Sequence, residues 1–221
     1  ADRGYAVVSV EYRKCKESRF PAMLYDAKAA VRFLKCHAAK YHLDPDKMAL
    51  WGPSAGGWIV AMTALTHGNP AFEDLEMGNG GYDSSVAAVV DWCGPCGGFL
   101  EMDEAFKKSG TGKPNHNLPD SGESQLLGAP LKEIPELVRM ADPCVYVNRS
   151  MPPFLIMHGA RDAVVPVEQS VRFADTIRKT AGEKKVELFI ADEAPHHGRI
   201  WWHDDWVSDM VLDYLDKVLK P

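Results

Sequence analysis

The sequence predicts an α/β fold, a mainly parallel sheet flanked by helices, and three observations predict it. Short runs rich in β-branched residues recur along the 221 residues without in-and-out alternation, which is how strands covered on both faces read. Stretches with apolar residues spaced three and four apart separate these runs, so strands and helices alternate. One strand also runs into a serine flanked by glycines and then directly into a helix. Length and a 46% hydrophobic content suit a single domain over 1–221.

Residues 5–11 are continuous and β-branched, as in a buried parallel strand, with Gly4 before them. From Pro21 to about Lys40 the pattern becomes helical, with Met23, Ala27, Ala30, Val31, Leu34 and Ala38 on one face. Asp44-Pro45-Asp46 turns the chain into a strand over 47–51, and a helix is expected over 55–67. Residues 86–90 read as another buried strand. From Gly94 to Ser150 the periodicity breaks down, apart from a short helix near 131–141, and this long insertion is expected to act as a cap. Residues 153–159 form a strand, 166–181 a helix, 185–191 the last strand and 204–219 the closing helix.

The pattern Gly52-Pro53-Ser54-Ala55-Gly56 lies at the strand-to-helix turn. A serine lifted off a strand end there adopts a strained backbone, costing about 1–3 kcal/mol. The close pass of strand and helix asks for small residues two before and two after it, which Gly52 and Gly56 provide. The helix start presents free N–H groups, so the N–H of Ala55 is a candidate oxyanion donor.

In a parallel sheet, reactive residues collect beyond the carboxyl ends of the strands. Asp162 follows the strand at 153–159, and His196-His197 follow the strand at 185–191. Serine needs a base to take its proton, imidazole titrates near neutrality, and a carboxylate orients the imidazole. This assigns Ser54 as nucleophile, Asp162 as orienting acid and His197 as base. His197 is favoured over His196 because Gly198 would give its ring room. His158 is expected to pack beneath the site. Trp58 and Trp201 are candidate substrate-binding residues, with core packing as the alternative reading.

Composition excludes other classes. A net charge of −6 and the absence of a basic run argue against nucleic acid or an anionic membrane as partner. No apolar stretch is long enough to span a bilayer. Five cysteines, an odd number at scattered spacings, suit reduced thiols and a cytoplasmic setting. Cys93 and Cys96 form a lone C-x-x-C, read as two small loop residues rather than a zinc or redox pair.

These residues bear a resemblance. Residues 3–13, the Phe20-Pro21-Ala22 segment, Gly52–Gly57, Asp91–Pro95, Leu126–Pro130, Pro152–Gly159, Asp162 with Val164-Val165-Pro166, and His197-Gly198 together resemble the α/β-hydrolase fold esterases. Within these, they are similar to the carbohydrate-esterase-like, feruloyl-esterase-like branch (BD-FAE) and its hormone-sensitive-lipase-type neighbours. The resemblance implies serine-dependent hydrolysis of short acyl or hydroxycinnamoyl esters, including those of plant polysaccharides, with no metal or organic cofactor, and it also favours His197.

Some features depart from that pattern. The family's upstream His-Gly-Gly oxyanion segment is not in the sequence, which starts at Ala1 and reads as the remainder of a longer protein lacking the N-terminal strands. The missing strand would lie between the strands matching 5–11 and 47–51, so a gap or a direct pairing of those two is expected. Pro53 stands where a polar residue is usual. The alternatives are a prolyl-oligopeptidase-type serine peptidase and a catalytically weak hydrolase-like protein. Unpaired strand edges lead us to expect a homodimer or poor solubility.

Overall fold

The computed structural model describes residues 3–198, 201 and 204–220. At its centre are four parallel strands in the order β1 (Ala49–Pro53), β2 (Ala88–Trp92), β3 (Phe154–Gly159) and β4 (Val186–Ala191). Ala49 lies opposite Ala88, Val89 opposite Phe154, and Phe154 opposite Val186. Because the strands share one direction, Pro53, Trp92, Gly159 and Ala191 all end along the same edge, where the reactive loops begin.

The helices are α1 (Ala22–Cys36), α2 (Ala38–Tyr41), α3 (Ala55–Leu65), α4 (Met102–Ser109), α5 (Gly122–Leu127), α6 (Pro135–Met140), α7 (Glu168–Ala181) and α8 (Asp205–Leu219). Successive strand residues point to opposite faces, which divides the core in two. Val89, Phe154 and Ile156 pack with Met23 and Leu24 of α1, Ile59 and Met62 of α3, and Phe173 and Ile177 of α7. Val90, Leu155 and Met157 pack with Val207, Val211 and Leu215 of α8. β2 and β3 are buried at every position, which explains their largely apolar sequences, interrupted by Asp91 and His158.

Some expected elements differ. The helix expected over 21–40 is broken at His37, and α2 ends with His42 in the left-handed region. The strand expected at 86–90 lies two residues later, with Asp91 inside it; its Oδ1 accepts the Gly94 N–H at 2.9 Å. The insertion is more ordered than its sequence suggests, holding α4, α5 and α6 linked by short 3-10 turns.

The largest correction concerns residues 5–11, which form no strand. They run outside the sheet with Val7 88% exposed. Arg3 and Tyr5 bond Asp216 of α8, and Arg13 pairs with Asp26 of α1, so the stretch is tied at both ends. A β-branched run becomes a strand only if a neighbour meets its N–H and C=O groups, and β1 is the outermost strand on that side of the sheet.

On α1, Lys28 and Arg32 are fully buried. Lys28 Nζ lies 3.3 Å and Arg32 Nη1 2.7 Å from the Glu73 carboxylate, and Lys28 also donates to the Thr66 carbonyl. Burial pulls the Lys28 pKa down to about 8 despite Glu73.

Candidate active site

Ser54 sits between β1 and α3 with φ 54° and ψ −123°. That region is costly for a residue with a side chain. The turn is held by the Ser54 N–H donating to the Trp92 carbonyl at 2.7 Å, and the Trp58 N–H donating to the Ser54 carbonyl at 3.2 Å. Pro53 ends β1 in register with Trp92, so its missing N–H leaves the turn intact. A Cβ on Gly52 would come within 2.4 Å of the Gly56 carbonyl oxygen. Gly56 itself has room: a Cβ there meets only Pro53 Cδ at 3.4 Å. The crowded second glycine is Gly57, where a Cβ would lie 2.2 Å from Asp91 Oδ1. Asp91 is completely buried, and burial raises its pKa to about 6.

Asp162 lies in the turn after β3, nearly inaccessible to solvent. Its Oδ1 accepts the N–H groups of Val164 and Val165, both at 2.8 Å. Its Oδ2 lies 2.6 Å from His196 Nδ1 and 3.1 Å from His158 Nε2. Burial opposes the charge, but hydrogen bonds from His158 and His196 outweigh it and hold the carboxyl well below the usual carboxylate range.

The imidazole beside Ser54 is that of His196, not His197. His196 Nε2 lies 2.9 Å from Ser54 Oγ. Since the carboxylate can only accept, His196 carries its proton on Nδ1, and Nε2 accepts from the serine hydroxyl. The loop after β4 explains the choice. Arg161 N–H donates to the Ala194 carbonyl at 3.0 Å, and Ala160 N–H to the Ala191 carbonyl at 2.9 Å, tying this loop to the Asp162 turn. From that anchor the chain alternates, with Ala194 and His196 turned inward and Pro195 and His197 outward. Gly198 adopts φ 144°, so it serves the turn and not a neighbouring ring.

His158 packs beneath the site, fully buried. Its Nε2 faces the Val165 carbonyl at 3.0 Å as well as Asp162, both acceptors, so the proton is on Nε2 and Nδ1 accepts from Ser170 Oγ at 2.7 Å. Sequence reasoning missed its contact with Asp162; the four-residue spacing from His158 to Asp162 around the β3 turn was the available signal.

Both tryptophans expected to face substrate belong to the core. Trp58 is 2% exposed, donates Nε1–H to the Ala141 carbonyl at 2.8 Å, and packs against Phe20 and Phe99. Trp201 is 4% exposed, rests on Trp92, and donates to the Pro195 carbonyl at 2.6 Å, supporting the His196 loop. Their size made them pocket candidates, but each indole N–H already has a backbone acceptor. Trp202 and His203 lie outside the described residues.

Ala55 is exposed at the start of α3, and the first-turn N–H groups of a helix have no acceptor within it. The arrangement therefore combines a strained serine, an imidazole in the tautomer of a base, a saturated carboxylate and a helix N-terminus. Such a set can carry out nucleophilic acyl transfer. Among the described residues, no helix is long and apolar enough to cross a membrane.

The chain is similar to known esterases in sequence and in fold. The BD-FAE family model matches residues 1–177. Esterase LipC of Mycobacterium tuberculosis is 32% identical over 178 residues, covering 80% of this chain and 41% of its own length. A structure described as a truncated form of a carbohydrate esterase from gut microbiota superposes with TM-score 0.83 and 29% identity, covering all of this chain and 76% of that one. A bifunctional GH43-CE protein of Bacteroides eggerthii also gives TM-score 0.83 at 28% identity, covering 98% of this chain and 30% of that one. The chain spans only about two fifths of the length of three mycobacterial esterases it matches, at 41%, 40% and 42%.

Proposed function

Because the chain belongs to the BD-FAE family of α/β-hydrolase fold proteins, we propose that it hydrolyses carboxylic esters through Ser54, His196 and Asp162. The unbroken chain from Ser54 Oγ to His196 Nε2, and from His196 Nδ1 to Asp162 Oδ2, carries this reading.

Ser54 Oγ attacks the ester carbonyl as its proton passes to His196 Nε2. The imidazolium that forms is stabilised by the Asp162 carboxylate, which stays ionised. The oxyanion of the tetrahedral intermediate is met by the Ala55 N–H at the positive end of α3. His196 then protonates the leaving alkoxide, leaving an acyl group on Ser54. Water, deprotonated by the same nitrogen, attacks that acyl group and releases the acid. Short acyl or hydroxycinnamoyl esters of carbohydrates are the proposed substrates, supported by the carbohydrate-esterase descriptions of the structural neighbours.

The test is turnover of p-nitrophenyl acetate, with acetylated and feruloylated oligosaccharides and an aminoacyl anilide run in parallel. Ser54→Ala is expected to lower ester turnover by at least about 10³-fold. Unchanged turnover in that variant would overturn the reading, and preference for the anilide would favour a peptidase.

A further inference from the structure

Cys93 follows β2 directly and adopts φ 47°, in the left-handed region. This turns its side chain into the site: its thiol lies 4.0 Å from the His196 carbonyl oxygen. One ligand atom from each of Cys93, Asp162 and His196 lies within 4.8 Å of the others, and all three residues are buried. The reaction above gives Cys93 no part.

We propose that Cys93, His196 and Asp162 form a binding site for a thiophilic divalent cation of the zinc class, and that its occupancy switches the serine site off. This rests on the triad reading for the switch, but not for the binding. The donor set is one sulfur, one imidazole nitrogen and one carboxylate oxygen, which zinc and cobalt accept in tetrahedral sites. Metal–ligand bonds of about 2.0–2.3 Å put tetrahedral ligands about 3.3–3.8 Å apart, so the cluster closes by local side-chain movement.

Charge favours the same ion. A thiolate and a carboxylate contribute two negative charges, which a divalent cation neutralises in a buried place where any unpaired charge is costly. Without metal, burial and the nearby Asp162 and Asp91 carboxylates push the Cys93 thiol far up, so it stays protonated. On binding, the S–H bond is replaced by an S–metal bond, and the proton leaves to water. No electron is transferred.

The nitrogen that can share an ion with Asp162 is His196 Nδ1, which faces that carboxylate at 2.6 Å. There the ion replaces the proton between the two groups. The neutral ring then carries its proton on Nε2, so His196 cannot act as base toward Ser54. The lone C-x-x-C takes no part as a pair: Cys96 lies beneath, beside Cys144, whose thiol meets the Cys96 carbonyl oxygen at 3.3 Å.

The experiment titrates chelator-treated protein with Co²⁺ and Zn²⁺, reading the thiolate-to-cobalt absorption, proton release and binding by calorimetry. Expected are one ion per chain, a thiolate–cobalt band, and at least tenfold weaker binding in Cys93→Ala and Cys93→Ser, with Cys96→Ala unchanged. Ester turnover should fall with occupancy, recover on chelation and resist metal in the Cys93 variants. Absence of the thiolate band, equal affinity in the Cys93 variants, or loss of binding in folded Cys96→Ala would each overturn the proposal. A protein that binds cobalt through Cys93 but turns over no ester would sustain the site and overturn the esterase reading. An active protein insensitive to metal would do the reverse.

Discussion

His158 Nε2 lies 3.1 Å from Asp162 Oδ2, the same oxygen that meets His196 Nδ1 at 2.6 Å. One carboxylate thus serves two imidazoles, one buried beneath it and one facing the serine. The inner contact fixes the Asp162 carboxylate independently of His196.

His158→Gln should therefore weaken both stability and turnover. Losing a hydrogen bond to a buried charged group costs about 1.5–3 kcal/mol, readable as a lower urea midpoint. Turnover should fall more than KM rises, because the altered group orients the base and does not touch substrate.

The two adjacent histidines separate sharply. His196→Gln should lower kcat/KM for p-nitrophenyl acetate by about 10³-fold or more. His197→Gln should cost far less, within about tenfold, since its exposed ring touches the His196 ring edge-on at 4.3 Å but bonds neither Ser54 nor Asp162. A reversed order of effects would reject the assignment of His196.

Asp162 also predicts a pH dependence of stability. Its folded pKa lies below the unfolded value of about 3.9, so its pairing stabilises the fold above that pH and is lost as pH falls further. The stability gap between wild type and Asp162→Asn should be constant from about pH 5 to 7 and shrink below about pH 4. Urea midpoints at pH 7, 5 and 3 measure it.

Glu73 neutralises two buried cations on α1, Lys28 and Arg32. Glu73→Gln leaves them without a counter-charge, an effect of about 3–5 kcal/mol for a broken buried pair. The expected outcome is a large fall in thermal midpoint, checked by calorimetry.

Gly57→Ala should prevent correct folding of the serine turn, because its Cβ would overlap Asp91 Oδ1. Gly56→Ala should fold, since only ordinary contact with Pro53 awaits it. Soluble yield and near-ultraviolet dichroism distinguish them.

Much of this was legible from residue order. The serine turn announces itself through Gly52, where no Cβ fits so tight a strand-to-helix passage, although the second crowded glycine is Gly57 and not Gly56, and Asp162 follows because the β3 run points to the carboxyl edge of the sheet. The choice between His196 and His197 was not legible, since it depends on Ala194 being pinned by Arg161 from another loop. Trp58 and Trp201 misled because an aromatic near a serine reads the same whether it faces substrate or core. Residues 5–11 carry every local mark of a strand, yet strands are made by neighbours, and pattern alone does not supply one. Lys28 and Arg32 resisted reading because a charged residue on a helix suggests solvent until its acidic partner, forty-odd positions away, is known.

Residues 5–11 behave like a zip with one set of teeth. Roped to α8 by Arg3 and Tyr5 and to α1 by Arg13, they are already held at both ends, so a second chain pairing with them has less further ordering to bear. Concentrating the protein should therefore promote growth into multimers. A lysine in place of Val7 should keep it dispersed in light scattering without touching the catalytic rim.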